Sequence, residues 1–244
     1  MIQTSIRIVL TPTETDQLFP NGEHVYFWDK DKYSERPYAE RLAARGLEAG
    51  ISDPTDGSNL AAFLYLLRQK HLSTYSMICR TVQRVAPFFD DFVLEPLRLN
   101  QDKIRLEWRH RGADAYFDVA SLSDGTLRFI ALATLLLQPE EYRPSVILVD
   151  EPELGLHPYA ITLLASLIKQ VSHTTLVILS TQSPLLLDHF EPEDVLVAER
   201  VNGSTQFTRL DADRLAIWLE EYSLGQLGEK NELDGRPAPE GVYG

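Results

Sequence analysis

The chain is poor in cysteine, in positive charge and in long apolar runs. A single cysteine, Cys79, among 244 residues excludes an internal disulfide and suits a reducing cytosol. No stretch approaches the roughly 18–20 apolar residues of a membrane-spanning helix, and no basic-then-apolar signal segment opens the chain. The expectation is a cytoplasmic protein with no membrane partner. Lys and Arg number 23 against 36 Asp and Glu, a formal charge of −13. Nonspecific affinity for nucleic acid comes from cations on phosphates, so this balance argues against a DNA-coating surface. Arg68, Lys70, Arg80 and Arg84 do cluster on a candidate helical pair, a pattern that is more often a solvated face. One absence is chemical. No Gly-Lys dipeptide occurs, and the phosphate cradle G-x-x-x-x-G-K-[ST] requires one.

What is present centres on Ser145–Pro158, S-V-I-L-V-D-E-P-E-L-G-L-H-P. Val146, Ile147, Leu148 and Val149 form an unbroken β-favouring run, which suits a strand buried on both faces of a parallel sheet. Two adjacent acids, Asp150 and Glu151, follow. Such a strand tolerates them only at its carboxyl end, where open α/β sheets bind ligands, because unpaired like charges inside the sheet would be prohibitive. A hydrophobic strand ending in Asp-Glu is the Walker B pattern, whose Asp serves bound Mg²⁺. Taken alone, the dipeptide also fits an acid-rich turn that caps the next helix.

Three more segments bear on the choice. Ser121–Phe129 reads S-L-S-D-G-T-L-R-F and leads into an apolar helical run from Leu127 to Leu137. Glu153-Leu154-Gly155-Leu156-His157-Pro158 follows the acids. A second buried strand, Leu176–Leu179, ends in Ser180-Thr181-Gln182-Ser183-Pro184. In this order and spacing the segments resemble the signature, Walker B, D-loop and switch of ABC-type ATPases, in the form shared by the RecF, SMC and OLD-nuclease group. Leu122, Ser123 and Gly125 match the signature, whereas Asp124 and Thr126 depart from its commonest wording, and Gln182 stands where the switch is usually His. The resemblance extends through Tyr222-Ser223-Leu224-Gly225 and covers Asp56 to about Leu227.

The resemblance implies an ABC-type core, a parallel sheet covered by helices with a helical lobe and a small β piece. It implies ATP and Mg²⁺ as ligands, with Asp150 positioning the metal through water, Glu151 deprotonating the attacking water and Gln182 bonding the γ-phosphate or that water. Ser123, Gly125 and Gly155 are then nucleotide-contacting positions. ABC-type sites are composite, so the partner is a second copy or a P-loop-bearing ATPase subunit. Relatives serve DNA repair, chromosome maintenance and phage defence, often with DNA and a nuclease partner. No H-N-H pattern or Toprim-like acid set is visible, so nuclease activity is not expected of this chain. The absent P-loop marks the core as incomplete, lacking the P-loop unit.

Along the chain, residues 1–57 read as a β/loop region with strands at Ser5–Leu10 and His24–Trp28 and a short helix near Tyr38–Arg45. Residues 58–120 read as the helical lobe and β piece. Helices fall at Asn59–Gln69 and His71–Ala86, then strands at Asp91–Leu99 and Lys103–Arg109 flank a turn at Asn100-Gln101-Asp102, and Ala115–Val119 is a third. Residues 121–227 alternate helix and strand, Pro158 and Pro184 each opening a helix. Asp194–Glu199 and Gln206–Leu210 read as a hairpin around Asn202-Gly203, and Asp211–Tyr222 as an amphipathic helix. Residues 228–244 read as a mobile tail. Cys79 is expected in the core, and His157 as a helix-start residue rather than a metal ligand. Two functions stay open: an ATP-hydrolysing dimer, or a P-loop-less, non-catalytic half that presents its signature helix to a partner ATPase.

Overall fold

In the computed structural model the described residues are 5–10, 25–28, 60–97, 100–201, 204–230 and 233. In chain order their elements are β1 (Ser5–Leu10), β2 (Val25–Trp28), α1 (Leu60–Lys70), α2 (Leu72–Val85), β3 (Phe89–Val93), β4 (Pro96–Leu97), β5 (Asn100–Ile104), β6 (Glu107–His110) and β7 (Tyr116–Asp118). There follow α3 (Asp124–Leu137), β8 (Val146–Asp150), α4 (Pro158–Ser172), β9 (Leu176–Thr181), α5 (Pro184–Leu187), β10 (Val195–Val201), β11 (Ser204–Arg209), α6 (Ala212–Leu219) and α7 (Leu224–Glu229).

Six strands form the main sheet in the order β11-β10-β1-β9-β8-β2. Its centre is parallel, as the apolar runs require: β2 pairs with β8, and β8 with β9, with Val149 opposite Trp28 on one side and Leu179 on the other. The remaining pairs are antiparallel. β1 lies between β9 and β10 and runs against both, with Ile6 opposite Thr181 and Leu10 opposite Val177. An alternating run such as Ile6-Arg7-Ile8 states that a strand exists but not which way it points, so this reversal was invisible in the residues. Two smaller sheets, β3-β6-β7 and β4-β5, build the β piece.

Two hydrophobic cores meet at α3. Phe129, Leu132, Ala133 and Leu136 pack with the main sheet and α4, while Leu127, Ile130 and Ala131 pack with α1, α2 and the β3-β6-β7 sheet. A helix apolar nearly all round is a helix buried on two sides. Its fully exposed residues lie at the amino end: Ser123 and Asp124. Cys79 lies in the second core.

The β piece differs from expectation. Asn100-Gln101-Asp102, read as a turn, opens β5, and the two expected strands are four: β3, β4, β5 and β6. Trp108, opposite Phe92 and Phe117, sets the β3-β6-β7 register through stacked and packed rings, a cross-strand contact that no local pattern encodes. At the other end Gly228 and Glu229 finish α7 and Leu233 is buried in the first core, so the tail expected from Gly228 does not begin there. The helix expected near Tyr38–Arg45 and the Asn202-Gly203 turn lie outside the described residues.

Candidate functional site

Asp150 ends β8 directly opposite Ser180 of β9. The Ser180 hydroxyl donates to Asp150 Oδ1, which fixes the carboxylate at the carboxyl-end edge of the parallel strands. Glu151 leaves the strand in a left-handed conformation, φ +42°, which β-carbon sterics disfavour by about 1–2 kcal/mol. Bonds to both neighbouring elements brace its backbone. Its N–H donates to Ser180 O at 2.8 Å, and its carbonyl accepts from Arg128 Nη1 of α3 at 3.2 Å. A strained, cross-braced acid at a sheet's carboxyl edge is the kind of outlier that points to function.

The loop after Glu151 folds back on itself. Leu154 N–H donates to Glu151 O and Leu156 N–H to Glu153 O, at 3.2 and 2.9 Å. Gly155 takes φ +78° and lays its carbonyl against Gly125 at the start of α3: a Cβ on Gly125 would stand 2.1 Å from Gly155 O. Gly125 is buried by that contact. Both glycines expected at the nucleotide thus meet each other, joining the loop to the helix. Ser123, by contrast, is exposed and caps α3, its Oγ accepting from Thr126 N–H at 3.1 Å. His157 caps α4, its Nδ1 accepting from Tyr159 N–H at 3.3 Å, which agrees with a helix-start role.

At the end of β9, Thr181 is buried and donates to Glu153 Oε1 at 2.5 Å. Its Oγ1 also accepts from Ser183 N–H at 3.0 Å. Gln182, between these two anchored residues, is exposed. Burial pushes the Glu153 carboxyl above its ordinary range, partly offset by the Thr181 bond, and its Oε2 is buried with no hydrogen-bond partner among the described residues. The sequence motifs contained Glu153, Ser180, Thr181 and Arg128 but suggested no role for them. The signal available was a third acid close behind Asp150-Glu151, and hydroxyls in the matching strand end.

The site therefore gathers Asp150, Glu151 and Gln182 on one edge, with the α3 amino end tied to them through Gly125 and Gly155. Among the described residues no group of three or more His, Cys, Asp or Glu side chains could hold a metal alone. A single carboxylate with an adjacent hydroxyl suits Mg²⁺, which keeps several waters and is commonly shared with substrate phosphates.

A family model described as "AAA domain, putative AbiEii toxin, Type IV TA system" matches residues 14–188. The chain belongs to that family. It is thus an ATPase-type AAA domain, with the mixed α/β fold described above. Among solved structures, an SMC head bound to the C-winged helix domain of ScpA is similar at 14% identity and a TM-score of 0.52, over 81% of this chain and 58% of that one. An SMC ATPase structure from work on ATP-driven dimerization and DNA-stimulated activation gives 16% identity and a TM-score of 0.47, over 65% of this chain and 96% of that one. The Smc head of Pyrococcus furiosus with an extended coiled coil, bound to the C-terminal domain of ScpA, gives 15% and 0.48, over 65% and 39%. At 14% identity the first of these likenesses is one of fold. Comparison with curated proteins gives no match. No described helix of the AAA domain is long and apolar enough to cross a membrane.

Proposed function

We propose that this AAA domain binds and hydrolyses ATP in a nucleotide-sandwiched dimer, as an ABC-type ATPase of the RecF/OLD kind. The observation that carries the reading is the joint placement of Asp150, the strained Glu151 and Gln182 at the carboxyl edge of β8 and β9. Asp150 would hold Mg²⁺ through water, and that ion supplies charge neutralisation for the phosphates. Glu151 lies one residue beyond and takes the proton of the attacking water. Gln182 bonds the γ-phosphate or that water from the neighbouring strand end. Ser123 and the first-turn amides of α3 offer an anion site to a nucleotide held by the opposite subunit. The phosphate loop comes from a companion ATPase subunit, because no Gly-Lys dipeptide occurs in this sequence and the cradle requires one. DNA repair or phage defence, in the cytoplasm and with DNA and a nuclease as partners, is the setting that fits this kind.

The test is Glu151→Gln in an assembly with a phosphate loop supplied. The amide keeps the shape and loses the base, so ATP still binds while turnover falls by roughly 10²–10⁴-fold. Unchanged turnover removes Glu151 from the catalytic role.

A second reading, a non-catalytic half that lends its α3 end to a partner, is favoured by the absence of any Gly-Lys dipeptide from the sequence, which a phosphate cradle requires. Under this reading association depends on Ser123, and turnover by the assembly is insensitive to Glu151.

A further inference from the structure

We infer that Glu153 is a positioning residue: its carboxyl, through Thr181, locks the turn that carries Gln182 to the loop that carries Glu151 and Gly155. The inference rests on the reading of Glu151 and Gln182 as the reacting pair, and supplies what holds the two in one geometry.

The contacts form a continuous path. Glu153 Oε1 accepts the Thr181 hydroxyl hydrogen at 2.5 Å. The same Thr181 oxygen accepts from Ser183 N–H at 3.0 Å, so one buried side chain spans the residue between, Gln182. Ser183 in turn caps α5, its Oγ accepting from Leu186 N–H at 3.3 Å. On the other side, Glu153 O accepts from Leu156 N–H at 2.9 Å, and Gly155 abuts Gly125 of α3. Arg128, one turn further along α3, holds the Glu151 carbonyl. A displacement at the exposed end of α3 thus reaches Gln182 by way of one loop and one side chain.

Packing alone does not call for an acid here. Thr181 is 1% exposed, and Glu153 Oε2 is buried with no hydrogen-bond partner among the described residues. Burying a polar group without full hydrogen bonding is unfavourable, so an apolar residue would serve the core better. What the carboxyl adds is direction: one acceptor aimed at one hydroxyl. A side-chain amide presents the same acceptor and carries no charge, so Gln should do the same work.

Hydrogen exchange on the chain as it stands tests the path. Glu153→Ala should speed exchange at the Ser183, Leu154 and Leu156 amides, which are hydrogen-bonded, by roughly tenfold, the loss of one buried bond. Thr181→Val should speed Ser183 exchange further, since it removes the Ser183 acceptor as well, the double variant should add nothing to Thr181→Val, and Glu153→Gln should stay within about twofold of the parent. Equal effects of Ala and Gln, or no change at the Ser183 amide in Glu153→Ala, would overturn the inference. In an assembly with a phosphate loop supplied, Glu153→Ala should lower kcat with KM for ATP little changed, and Glu153→Gln should restore kcat. An inactive parent assembly would sink the ATPase reading while leaving the exchange result to decide the path. An active parent with kcat unmoved by Glu153→Ala would sink the positioning role.

Discussion

At the scale of single residues, the backbone of Glu151 is the most informative feature of the site. A glutamate at φ +42° sits in a region that glycine enters freely and other residues enter at about 1–2 kcal/mol. Glu151→Gly relieves that strain but gives the unfolded chain more freedom, and the two effects nearly offset. The side chain's own contacts are lost with it, so the variant should lie within about 1 kcal/mol of the parent, while the assembly loses turnover. Urea unfolding beside an ATPase assay reads both, and a clear loss of stability would show that the Glu151 side chain holds the loop. The pH response of Glu153 follows from its raised pKa, caused first by burial. A carboxyl that binds its proton more tightly folded than unfolded stabilises the fold fully at low pH, and that contribution is lost as pH rises through the folded value. Glu153→Gln has no proton to lose. Its unfolding midpoint should match the parent near pH 4 and exceed it increasingly towards pH 8; a gap that closes with pH would mean the carboxylate is stabilised as an anion. The acids themselves were legible in the sequence, because Asp150-Glu151 end an apolar run that admits them at one place only. Their bracing was not, since Ser180, Thr181 and Arg128 approach from β9 and α3.

At the scale of elements, the contact between the α3 amino end and the following loop decides more than either does alone. Gly125 was legible as a required glycine, and the structure supplies a reason that needs no ligand: the carbonyl of Gly155 occupies the volume of its missing Cβ. Gly225 repeats the device, its absent Cβ lying 2.3 Å from Pro184 O while its N–H donates to Asp188 Oδ1 at 2.7 Å. Gly125→Ala drives a methyl into backbone that cannot rotate away, so it should cost about 1–3 kcal/mol and loosen residues 154–156. Denaturant unfolding measures the first and hydrogen exchange the second. A cost below about 0.5 kcal/mol would mean that the loop simply steps aside. Long apolar helices and the buried strands β8 and β9 were readable because length and composition identify them without knowledge of their neighbours. The strands of the β piece were not. They span two to five residues, and polar Asn100-Gln101-Asp102 becomes strand only because β4 lies beside it.

At the scale of the molecule, the arrangement leaves one exposed end on an otherwise buried helix. The body of α3 is gripped by both cores, whereas Ser123 faces solvent with its hydroxyl on Thr126 N–H. The first-turn amides carry the partial positive charge of a helix amino end, and the nucleotide of an opposite subunit is the anion proposed to meet them. Fold and association therefore separate at this residue. Ser123→Arg removes a cap worth about 1 kcal/mol, small against a helix held from two sides, so the variant should fold and unfold much as the parent does. The arginine fills the space in front of the amides and projects into the contact between subunits, so ATP-dependent association with a phosphate-loop-bearing partner should be lost. Light scattering on a sizing column, with and without ATP, reads the result directly. If Ser123→Arg still associates on ATP like the parent, the residue is a helix cap alone, and the opposing nucleotide must be held by some other surface.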